Sequence, residues 1–507
     1  DRRLIDQSVL GSLLHPLLLS MPNLQPEKYF RESARKTFTR RKSAAEEESR
    51  LSRRSSGPRS PVTAGAVAGG EVDAVALQCD IDCVFETAAI KRRAVGPKDV
   101  QIDVKYCGVC HSDLTFAVGA TKDLGIPQHW PVVPGHEVAG VVVAVGSDVT
   151  KFQTGDHVGV GCMVGSDLTC RACKRGDENM CLNQVPTYGG ALRKDDPICP
   201  VVEGSGETQT MGGYSTAMVV NEHFCISIPK AYPLECAGPV MCAGVTVYNP
   251  LSTYGVKEGS HVGIIGLGGL GTMGIKVAKA LGARVTAISR GEKKRALALS
   301  HGADDFIDSK SPASLESGVA SLDCIINVIP VYHDVTLYTP LLKPSTGKMY
   351  LIGITESTMA AFAADALLLG SSVITASLIG GIACTQEVMD LCAKYMIKPV
   401  VEVAPTTAIN RIFESLNGAN EAGVRYVIDI AGARNPPLKL GLSFGEPTDL
   451  HTDSHGGGHT APLSASKVIF YELPKMLLVV NRRKVLPILG IVTLATAMIG
   501  VQLLKKK

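Results

Sequence analysis

The residues of this sequence best suited to chemistry are a cysteine, a histidine and a glutamate in its first third. Cys110 opens a Cys-His-Ser-Asp run, His136 and Glu137 follow a glycine, and Cys242 lies far downstream. Thiolate, imidazole and carboxylate are the ligand types of a catalytic zinc, which takes three protein groups and leaves one position open. The pattern predicts such a site. In it, Glu137 is either a fourth ligand or a carboxylate just outside the ligand shell.

Three further cysteines predict a second metal site. Cys170, Cys173 and Cys181 have the spacing of a closed structural zinc site, which is normally made of four cysteines. Asp167 stands where the fourth cysteine would complete the pattern, and an aspartate oxygen binds zinc less tightly among thiolates. The alternatives are a zinc site completed by Asp167 and a lobe with three free thiols. The odd total of 15 cysteines suits metal binding in a reducing compartment better than a disulfide framework.

A glycine-rich fingerprint predicts a dinucleotide site. It follows an apolar strand at His261–Ile265, opens a helical stretch that reaches Leu281, and is followed by a second strand at Arg284–Ser289. In that context glycines allow a tight turn, a close approach of the pyrophosphate and packing of the helix on the sheet. The helix N-terminus offers its amides to the phosphates. The residues of the fingerprint are Gly266, Gly268, Gly269, Leu270 and Gly271.

The end of the second strand predicts which nucleotide is bound. An NAD site places an acid there to hold the ribose 2′-hydroxyl, whereas this chain has Ser289 and Arg290, with Lys294 close behind. A hydroxyl and a guanidinium suit a 2′-phosphate. Glu292 is a weak argument for NAD, because it lies three residues beyond the strand. The prediction is NADP(H).

The order of apolar runs predicts an α/β architecture of two domains. A β-rich catalytic domain spans 72–245 and is completed by 405–433, and a doubly wound parallel sheet spans 246–404. Strands are expected in the first domain at Val100–Tyr106, Val138–Val145, His157–Cys162 and Met218–Ile228. They are expected in the second, besides the two above, at Asp305–Ile307, Cys324–Ile329, Lys348–Ile352 and Val373–Ser377.

The two ends of the chain differ from its middle. The net charge is +3, but positive charge is concentrated at both ends and the middle is acidic, so nothing predicts nucleic-acid binding. Residues 1–71 are interpreted as a disordered arm. A transit peptide is the alternative, which Glu46, Glu47 and Glu48 disfavour.

The C-terminal end predicts a membrane anchor. Residues 434–484 form a Pro/Gly/His/Ser-rich linker, in which a glycine run among His451, His455 and His459 favours a solvated chain over a metal site. Residues 485–504 are twenty uncharged residues flanked by basic triplets, long enough to span a bilayer. A buried core helix is the alternative. The prediction is a single C-terminal transmembrane helix with the enzyme facing the cytosol.

Together these motifs resemble the zinc-dependent medium-chain alcohol dehydrogenases, in their cinnamyl alcohol dehydrogenase-like branch. The matching runs are Cys-Gly-Val-Cys-His-Ser-Asp at 107–113, Val-Pro-Gly-His-Glu at 133–137, Val-Gly-Val-Gly-Cys-Met-Val-Gly at 158–165, Met-Cys-Ala-Gly-Val-Thr-Val-Tyr at 241–248 and the glycine fingerprint. The resemblance implies a GroES-like catalytic domain, a Rossmann domain and a homodimer.

The resemblance also implies roles for particular residues. Cys110, His136 and Cys242 become the catalytic zinc ligands, with Glu137 on or near the metal. Cys107 becomes a neighbour that does not bind. Ser112 matches the hydroxyl that passes the alcohol proton, and Thr246 matches a contact to the nicotinamide end of the cofactor.

Three departures from the family qualify this expectation. Thr115 replaces the histidine that finishes the proton relay, Asp167 replaces a structural cysteine, and the segment 182–212 is unlike that of the plant lignin enzymes. The hypothesis is reversible hydride transfer between NADPH and an aromatic or aliphatic aldehyde at a zinc ion. The alternatives are an NAD-linked polyol dehydrogenase of the mannitol type and a catalytically weak, membrane-tethered binding protein on the same scaffold.

Overall fold

The structure is a computed structural model that describes residues 70–120, 129–192, 198, 209–353, 367, 368, 370–416 and 424–434. Its strands alternate with short turns in the first half of the chain and with helices in the second. In chain order they are β1 (Val72–Cys79), β2 (Phe85–Arg92), β3 (Asp99–Gly108), β4 (Glu137–Val145), β5 (His157–Val160), β6 (Met163–Gly165), β7 (Val185–Pro186), β8 (Ala217–Asn221), β9 (Cys225–Ser227), β10 (His261–Ile265), β11 (Arg284–Ser289), β12 (Asp305–Asp308), β13 (Cys324–Asn327), β14 (Lys348–Leu351), β15 (Val373–Ala376), β16 (Val401–Pro405) and β17 (Arg425–Asp429).

The described α-helices are mostly short. They are α1 (His111–Ala117), α2 (Leu234–Pro239), α3 (Val245–Tyr254), α4 (Gly269–Ala280), α5 (Arg295–Ser300), α6 (Pro312–Glu316), α7 (Ile382–Tyr395) and α8 (Ile409–Leu416). A π-helical turn, Val240–Gly244, joins α2 to α3. Such turns are rare and often lie at functional sites.

The catalytic sheet has the strand order β16-β17-β3-β4-β5-β9, with β8 also paired to β3. Its β3 and β4 are antiparallel, and β17 returns from the far end of the sequence to pair Val427 with Gly108. The interior of β3, β4 and β5 is fully buried, as in Ile102, Val138 and Val158. The sheet therefore brings the end of β3, the start of β4 and the C-terminal strand to one place.

The second sheet is wholly parallel, in the order β12-β11-β10-β13-β14-β15. This is the strand order of a Rossmann fold, whose cofactor binds at the carboxyl ends of the strands where the order reverses. The predicted α/β class, with a GroES-like and a Rossmann part, is confirmed. The exact domain boundaries, 72–245 with 405–433 and 246–404, stay a prediction.

The predicted strands are recovered with small shifts at their ends, apart from two. The single run predicted at Met218–Ile228 forms two strands, because the turn Glu222–Phe224 interrupts it. The run at His157–Cys162 ends at Val160, and β6 begins separately at Met163. In both places apolar residues resume within three positions of the end of the first strand, so hydrophobicity alone does not place the break.

The predicted membrane localisation is wrong. Among the residues that the structure describes, no helix is both long enough and apolar enough to cross a bilayer. The segment 485–504 that suggested an anchor, the linker 434–484 with its three histidines and nearly all of the arm 1–71 lie outside the described residues.

Candidate metal and cofactor sites

The catalytic candidates lie at the junction of β3, α1, β4 and the π-helical turn. Cys110 is the residue before α1, and its N–H donates to Asp113 Oδ2 at 2.8 Å. Gly135 precedes His136, and β4 begins at Glu137. The φ of Gly135 is +102°, a conformation that favours glycine. A side chain on Gly135 would come within 2.8 Å of the backbone nitrogen of Tyr214. The glycine is thus needed both for the turn and for the close packing.

Four predicted ligand groups converge at this junction. One ligand atom from each of Cys110, His136, Glu137 and Cys242 lies within 4.8 Å of the others. The two sulfurs are 3.8 Å apart, and His136 Nε2 lies 3.2 Å from the Sγ of Cys242. Zn–S bonds of about 2.3 Å in a tetrahedron would place two sulfurs roughly 3.8 Å apart. The donor set and its spacing therefore fit zinc.

The neighbours of His136 fix the orientation of its imidazole ring. Its Nδ1 lies 3.1 Å from Asp113 Oδ1, so the other nitrogen is turned toward Cys242. Burial lowers the pKa of His136, but the adjacent Asp113 carboxylate outweighs this effect and raises it well above its usual value. Tyr214, which is fully buried, donates its hydroxyl to Asp113 Oδ2 at 3.0 Å. A carboxylate that orients a ligating histidine is a common second layer of zinc sites.

The two thiols influence each other strongly. Contact with Cys242 lowers the pKa of Cys110 well below its usual value, and contact with Cys110 raises that of Cys242. In the absence of a cation, the thiolate form is thus favoured at Cys110 and the thiol form at Cys242. A metal dication favours the ionised form of both and releases the protons. This is further support for a metal between them.

Glu137 is a buried ligand candidate whose carboxylate lacks hydrogen-bond donors in the part of the chain that the structure describes. Both of its carboxylate oxygens are buried without a hydrogen-bond partner among the described residues. Arg425 Nη1 lies 3.0 Å from Oε1 and pairs with it electrostatically, although the contact does not have hydrogen-bond geometry. Burial raises the pKa of Glu137 to about 7, and Arg425 opposes the rise. A buried acceptor beside two thiols is suited to a cation.

The remaining catalytic candidates are also near the cluster. Ser112 Oγ lies 3.6 Å from the Sγ of Cys110. Thr115 donates its hydroxyl to the carbonyl of His111 at 3.1 Å. Cys107 is fully buried and lies outside the group of ligand atoms.

The second predicted metal cluster is also assembled. Ligand atoms of Asp167, Cys170, Cys173 and Cys181 lie within 4.8 Å of one another. Asp167 Oδ1 accepts the N–H groups of Thr169 and Cys170, each at 2.9 Å, and lies 3.5 Å from the Sγ of Cys173. These backbone amides lower the pKa of Asp167 well below its usual value. We call the segment 167–181 the cysteine lobe.

The cofactor candidates lie where a Rossmann fold requires them. Gly266 has a φ of +96°, the side-chain position of Gly268 is open, and a side chain at Gly271 would overlap the carbonyl oxygen of Gly266. Gly269 and Leu270 begin α4, and Thr246 lies in the first turn of α3. All three reasons for glycine in the fingerprint are therefore visible in the backbone.

The residues predicted to select the nucleotide lie at the end of β11. Ser289 is half-buried and Arg290 is exposed. The Nζ of Lys294 donates to the carbonyl of Leu267 in the glycine loop, at 3.2 Å. Glu292, the one acid that favoured NAD, forms an ion pair with Arg295.

Two functional neighbours were missed at the level of sequence. Arg425, the partner of Glu137, belongs to a strand that no motif marks and lies almost 290 residues farther along the chain. Tyr214 lies 101 residues from Asp113, and only the Gly-Gly pair before it hinted at a tight approach. Contacts between residues so far apart in sequence become visible only when the catalytic sheet is assembled.

Comparison with known proteins agrees with the geometry. The family model described as alcohol dehydrogenase GroES-like domain matches residues 96–230, and that described as zinc-binding dehydrogenase matches residues 269–394. Cinnamyl alcohol dehydrogenase 1 from Ocimum basilicum is 42% identical over 344 residues, which are 68% of this chain and 91% of that protein. 8-Hydroxygeraniol dehydrogenase from Catharanthus roseus is 42% identical over 342 residues, 67% of this chain and 90% of that protein.

Solved structures give the same result. A cinnamyl alcohol dehydrogenase from Sorghum bicolor has a TM-score of 0.64 and 37% identity, covering 71% of this chain and 98% of that one. The enzyme from Helicobacter pylori, solved in complex with NADP(H), has a TM-score of 0.62 and 37% identity, covering 71% and 99%. The predicted cofactors, Zn²⁺ and NADP(H), agree with these descriptions. The chain belongs to the zinc-dependent medium-chain alcohol dehydrogenases, in the cinnamyl alcohol dehydrogenase-like branch.

Proposed function

We propose that the protein is a zinc-dependent alcohol dehydrogenase that interconverts an aromatic or aliphatic aldehyde and its alcohol with NADP(H). The observation that carries the proposal is the convergence of four ligand atoms, from Cys110, His136, Glu137 and Cys242, within 4.8 Å. When bound, zinc supplies a Lewis acid for the carbonyl oxygen and the nicotinamide supplies or accepts the hydride. The chain supplies position, charge and a proton route.

Three of the four candidate ligands would stay on the metal, and the fourth would be replaceable. Cys110, His136 and Cys242 would hold the metal, and Asp113 keeps the histidine ring in one orientation. Glu137 is balanced by Arg425 at 3.0 Å and would serve as the replaceable fourth group. The guanidinium thus offsets part of the negative charge of a site with two thiolates and a carboxylate.

The proton route begins at Ser112. Its hydroxyl lies beside the sulfur of Cys110, at 3.6 Å, so it is close to the position of an alcohol bound at the metal. Thr115 carries no titratable group, and its hydroxyl is bonded to a backbone carbonyl. The proton would therefore pass from Ser112 to water instead of through an imidazole at position 115.

The nucleotide preference rests on three side chains at the end of β11. Arg290 is exposed beside Ser289, and Lys294 reaches the glycine loop. Glu292 is engaged by Arg295. Two cations beside a serine hydroxyl suit the 2′-phosphate of NADP(H), in line with the NADP(H) complex of the Helicobacter pylori relative.

We also infer a homodimer. β15 lies at the edge of the parallel sheet, and Val373 on it is 45% exposed. The edge strand of a sheet presents unpaired backbone groups to a second chain. Size-exclusion chromatography with light scattering is expected to give twice the chain mass, and a monomer would contradict the inference.

The activity is tested with purified full-length protein, a panel of aldehydes and both reduced nucleotides. NADPH-dependent reduction of at least one aldehyde is expected in the native protein. Cys242→Ser is expected to lose turnover and catalytic-site zinc while retaining NADPH binding. Cys236→Ser, which alters a buried cysteine outside the ligand group, is the matched control. Unchanged aldehyde reduction in Cys242→Ser would refute the assignment.

A further inference from the structure

A buried carboxylate of the cysteine lobe contacts the start of helix α7. Glu178 lies on the short turn between Cys173 and Cys181, and its side chain is 4% exposed. Its Oε2 accepts the N–H of Ile382 at 3.0 Å, across 204 residues of sequence. Its Oε1 lies 2.9 Å from the Nε2 of His223. Both carboxylate oxygens are thus used, one of them on a helix far away in the chain.

This contact supplies a cap that the helix itself lacks. The residue before α7 is Gly381, which has no side chain to accept the first free N–H groups. A carboxylate at the start of a helix satisfies those groups and interacts favourably with the helix dipole. The lobe therefore completes the N-terminus of a fourteen-residue helix.

The lobe and the helix start are also packed tightly. A side chain at Gly381 would overlap the carbonyl oxygen of Gly176. The Nδ2 of Asn179 donates to the carbonyl of Leu378 at 2.9 Å. The segment 378–382 is thus held by backbone packing and by two neighbouring residues of one turn.

The opposite face of this segment lies against the turn that carries Cys242. A side chain at Gly380 would come within 2.7 Å of Val245, which directly follows that π-helical turn. Residues from the two segments line one small cavity, namely Met241, Val245, Ile379, Gly380, Ile382 and Thr385. The start of α7 therefore lies between the cysteine lobe and the turn that contributes a catalytic ligand.

We propose that Glu178 is a positioning residue that couples metal binding in the cysteine lobe to the start of α7, and through it to the turn of Cys242. Glu178 lies between two candidate ligands in sequence: Cys181 directly follows the turn Glu178–Met180, and Cys173 begins the preceding turn, Cys173–Arg175. A metal held by both cysteines restrains the segment between them and so fixes the direction of the carboxylate. Without the metal the turn is freer, and the bond to Ile382 weakens. This coupling goes beyond the proposed catalytic reaction.

The test is amide hydrogen exchange of the full-length protein, with zinc content measured in the same samples. Cys173→Ser removes a ligand from the lobe, and Glu178→Ala removes the cap. Each is expected to speed exchange at Ile382 roughly fivefold, which corresponds to about 1 kcal/mol, the usual contribution of a helix cap. A smaller increase is expected at Met241–Val245. The double variant is expected to exchange no faster than Glu178→Ala alone.

Two controls separate coupling from simple damage. Glu178→Gln keeps an oxygen acceptor for Ile382 and is expected to restore most of the protection. Met180→Ala alters an exposed residue of the same turn and is expected to leave exchange unchanged. If Cys173→Ser does not fold, Asp167→Cys reverses the perturbation. Tighter zinc retention should then slow exchange at Ile382 in the native background and not in Glu178→Ala.

Three results would overturn the proposal. They are additive effects of Cys173→Ser and Glu178→Ala, unchanged exchange at Ile382 when lobe zinc is lost, and a native protein whose lobe holds no zinc. Aldehyde reduction is measured separately. Loss of the proposed activity with the exchange pattern intact would thus refute the reaction and leave the coupling in place.

Discussion

The imidazole Nε2 of His136 lies 3.2 Å from the sulfur of Cys242, although 106 residues separate them in sequence. The ring is held there from behind, because its Nδ1 lies 3.1 Å from Asp113 Oδ1. Asp113 also accepts the N–H of Cys110 and the hydroxyl of Tyr214. One carboxylate thus orients two of the candidate ligands at once.

Replacing this carboxylate is expected to weaken metal binding. Asp113→Asn keeps the size of the side chain but removes its charge and presents an N–H group where an acceptor is needed. Zinc affinity should fall by roughly 10- to 100-fold, the usual effect of losing such a partner, while NADPH affinity stays unchanged. A zinc competition assay and NADPH fluorescence measure the two quantities. Asp82→Asn, an exposed acid in the β1–β2 turn, is the control, and equal zinc affinity in Asp113→Asn would contradict the prediction.

Reversing the charge at Arg290 is expected to change the nucleotide preference. Arg290→Asp places an acid where a ribose 2′-hydroxyl would be held and removes a cation from the 2′-phosphate. The ratio of kcat/KM for NADPH to that for NADH should fall at least roughly tenfold, which is about 1.4 kcal/mol. Lys257→Asp makes the same charge change at another exposed position. An unaltered ratio in Arg290→Asp would count against NADP(H) selection by this residue.

Completing the cysteine lobe is expected to strengthen its hold on zinc. Asp167→Cys adds a fourth thiolate to a site whose ligand atoms already lie within 4.8 Å. Zinc in the variant should survive dialysis against a chelator longer than in the native protein, and the melting temperature should rise. Asp177→Cys adds a thiol in the same lobe but outside the ligand group. Faster zinc loss from Asp167→Cys than from the native chain would argue that the aspartate is the better ligand here.

The stability of the protein is expected to depend on Glu178 at acidic pH. Burial tends to raise the pKa of Glu178, but the bonds from His223 and from the N–H of Ile382 outweigh it and lower the pKa. A lowered pKa means that the contribution to stability is complete above the ordinary glutamate value of about 4.3 and is lost as the pH falls below it. In Glu178→Gln the free energy of unfolding should therefore depend less on pH in the acidic range than in the native protein.

Urea unfolding between pH 7 and pH 3 measures this dependence. Glu222→Gln is a useful comparison, because Glu222 also accepts backbone N–H groups but at an exposed position. If the free energy of unfolding falls equally with pH in the native protein and in Glu178→Gln, the pKa of Glu178 does not differ between the folded and unfolded states.

Several parts of the fold and of the candidate sites could be predicted from the sequence, because they depend on local pattern. The glycine fingerprint identified β10 and α4, and the cysteine spacing identified the lobe with its aspartate. The ligand set at 110, 136 and 242 followed from the family resemblance. Each of these features combines a short motif with a fixed backbone geometry, so spacing carries the information.

Other parts depended on long-range pairing and were not accessible. Arg425 reaches Glu137 only because β17 pairs with β3. Glu178 and Ile382 meet because the lobe packs on the Rossmann side of the chain. Such contacts are fixed by the assembled sheets and leave no periodic trace in the sequence.

The return of β17 to β3 has a consequence for the order in which the protein is made. A ribosome that has released the chain only as far as residue 240 has provided Cys110, His136 and Glu137, but neither the second thiolate nor the guanidinium. The negative charges of the centre are then without the balancing Arg425, which is supplied from near the end of the enzyme portion. The charge of Glu137 is therefore balanced by Arg425 only after the chain has been translated as far as β17.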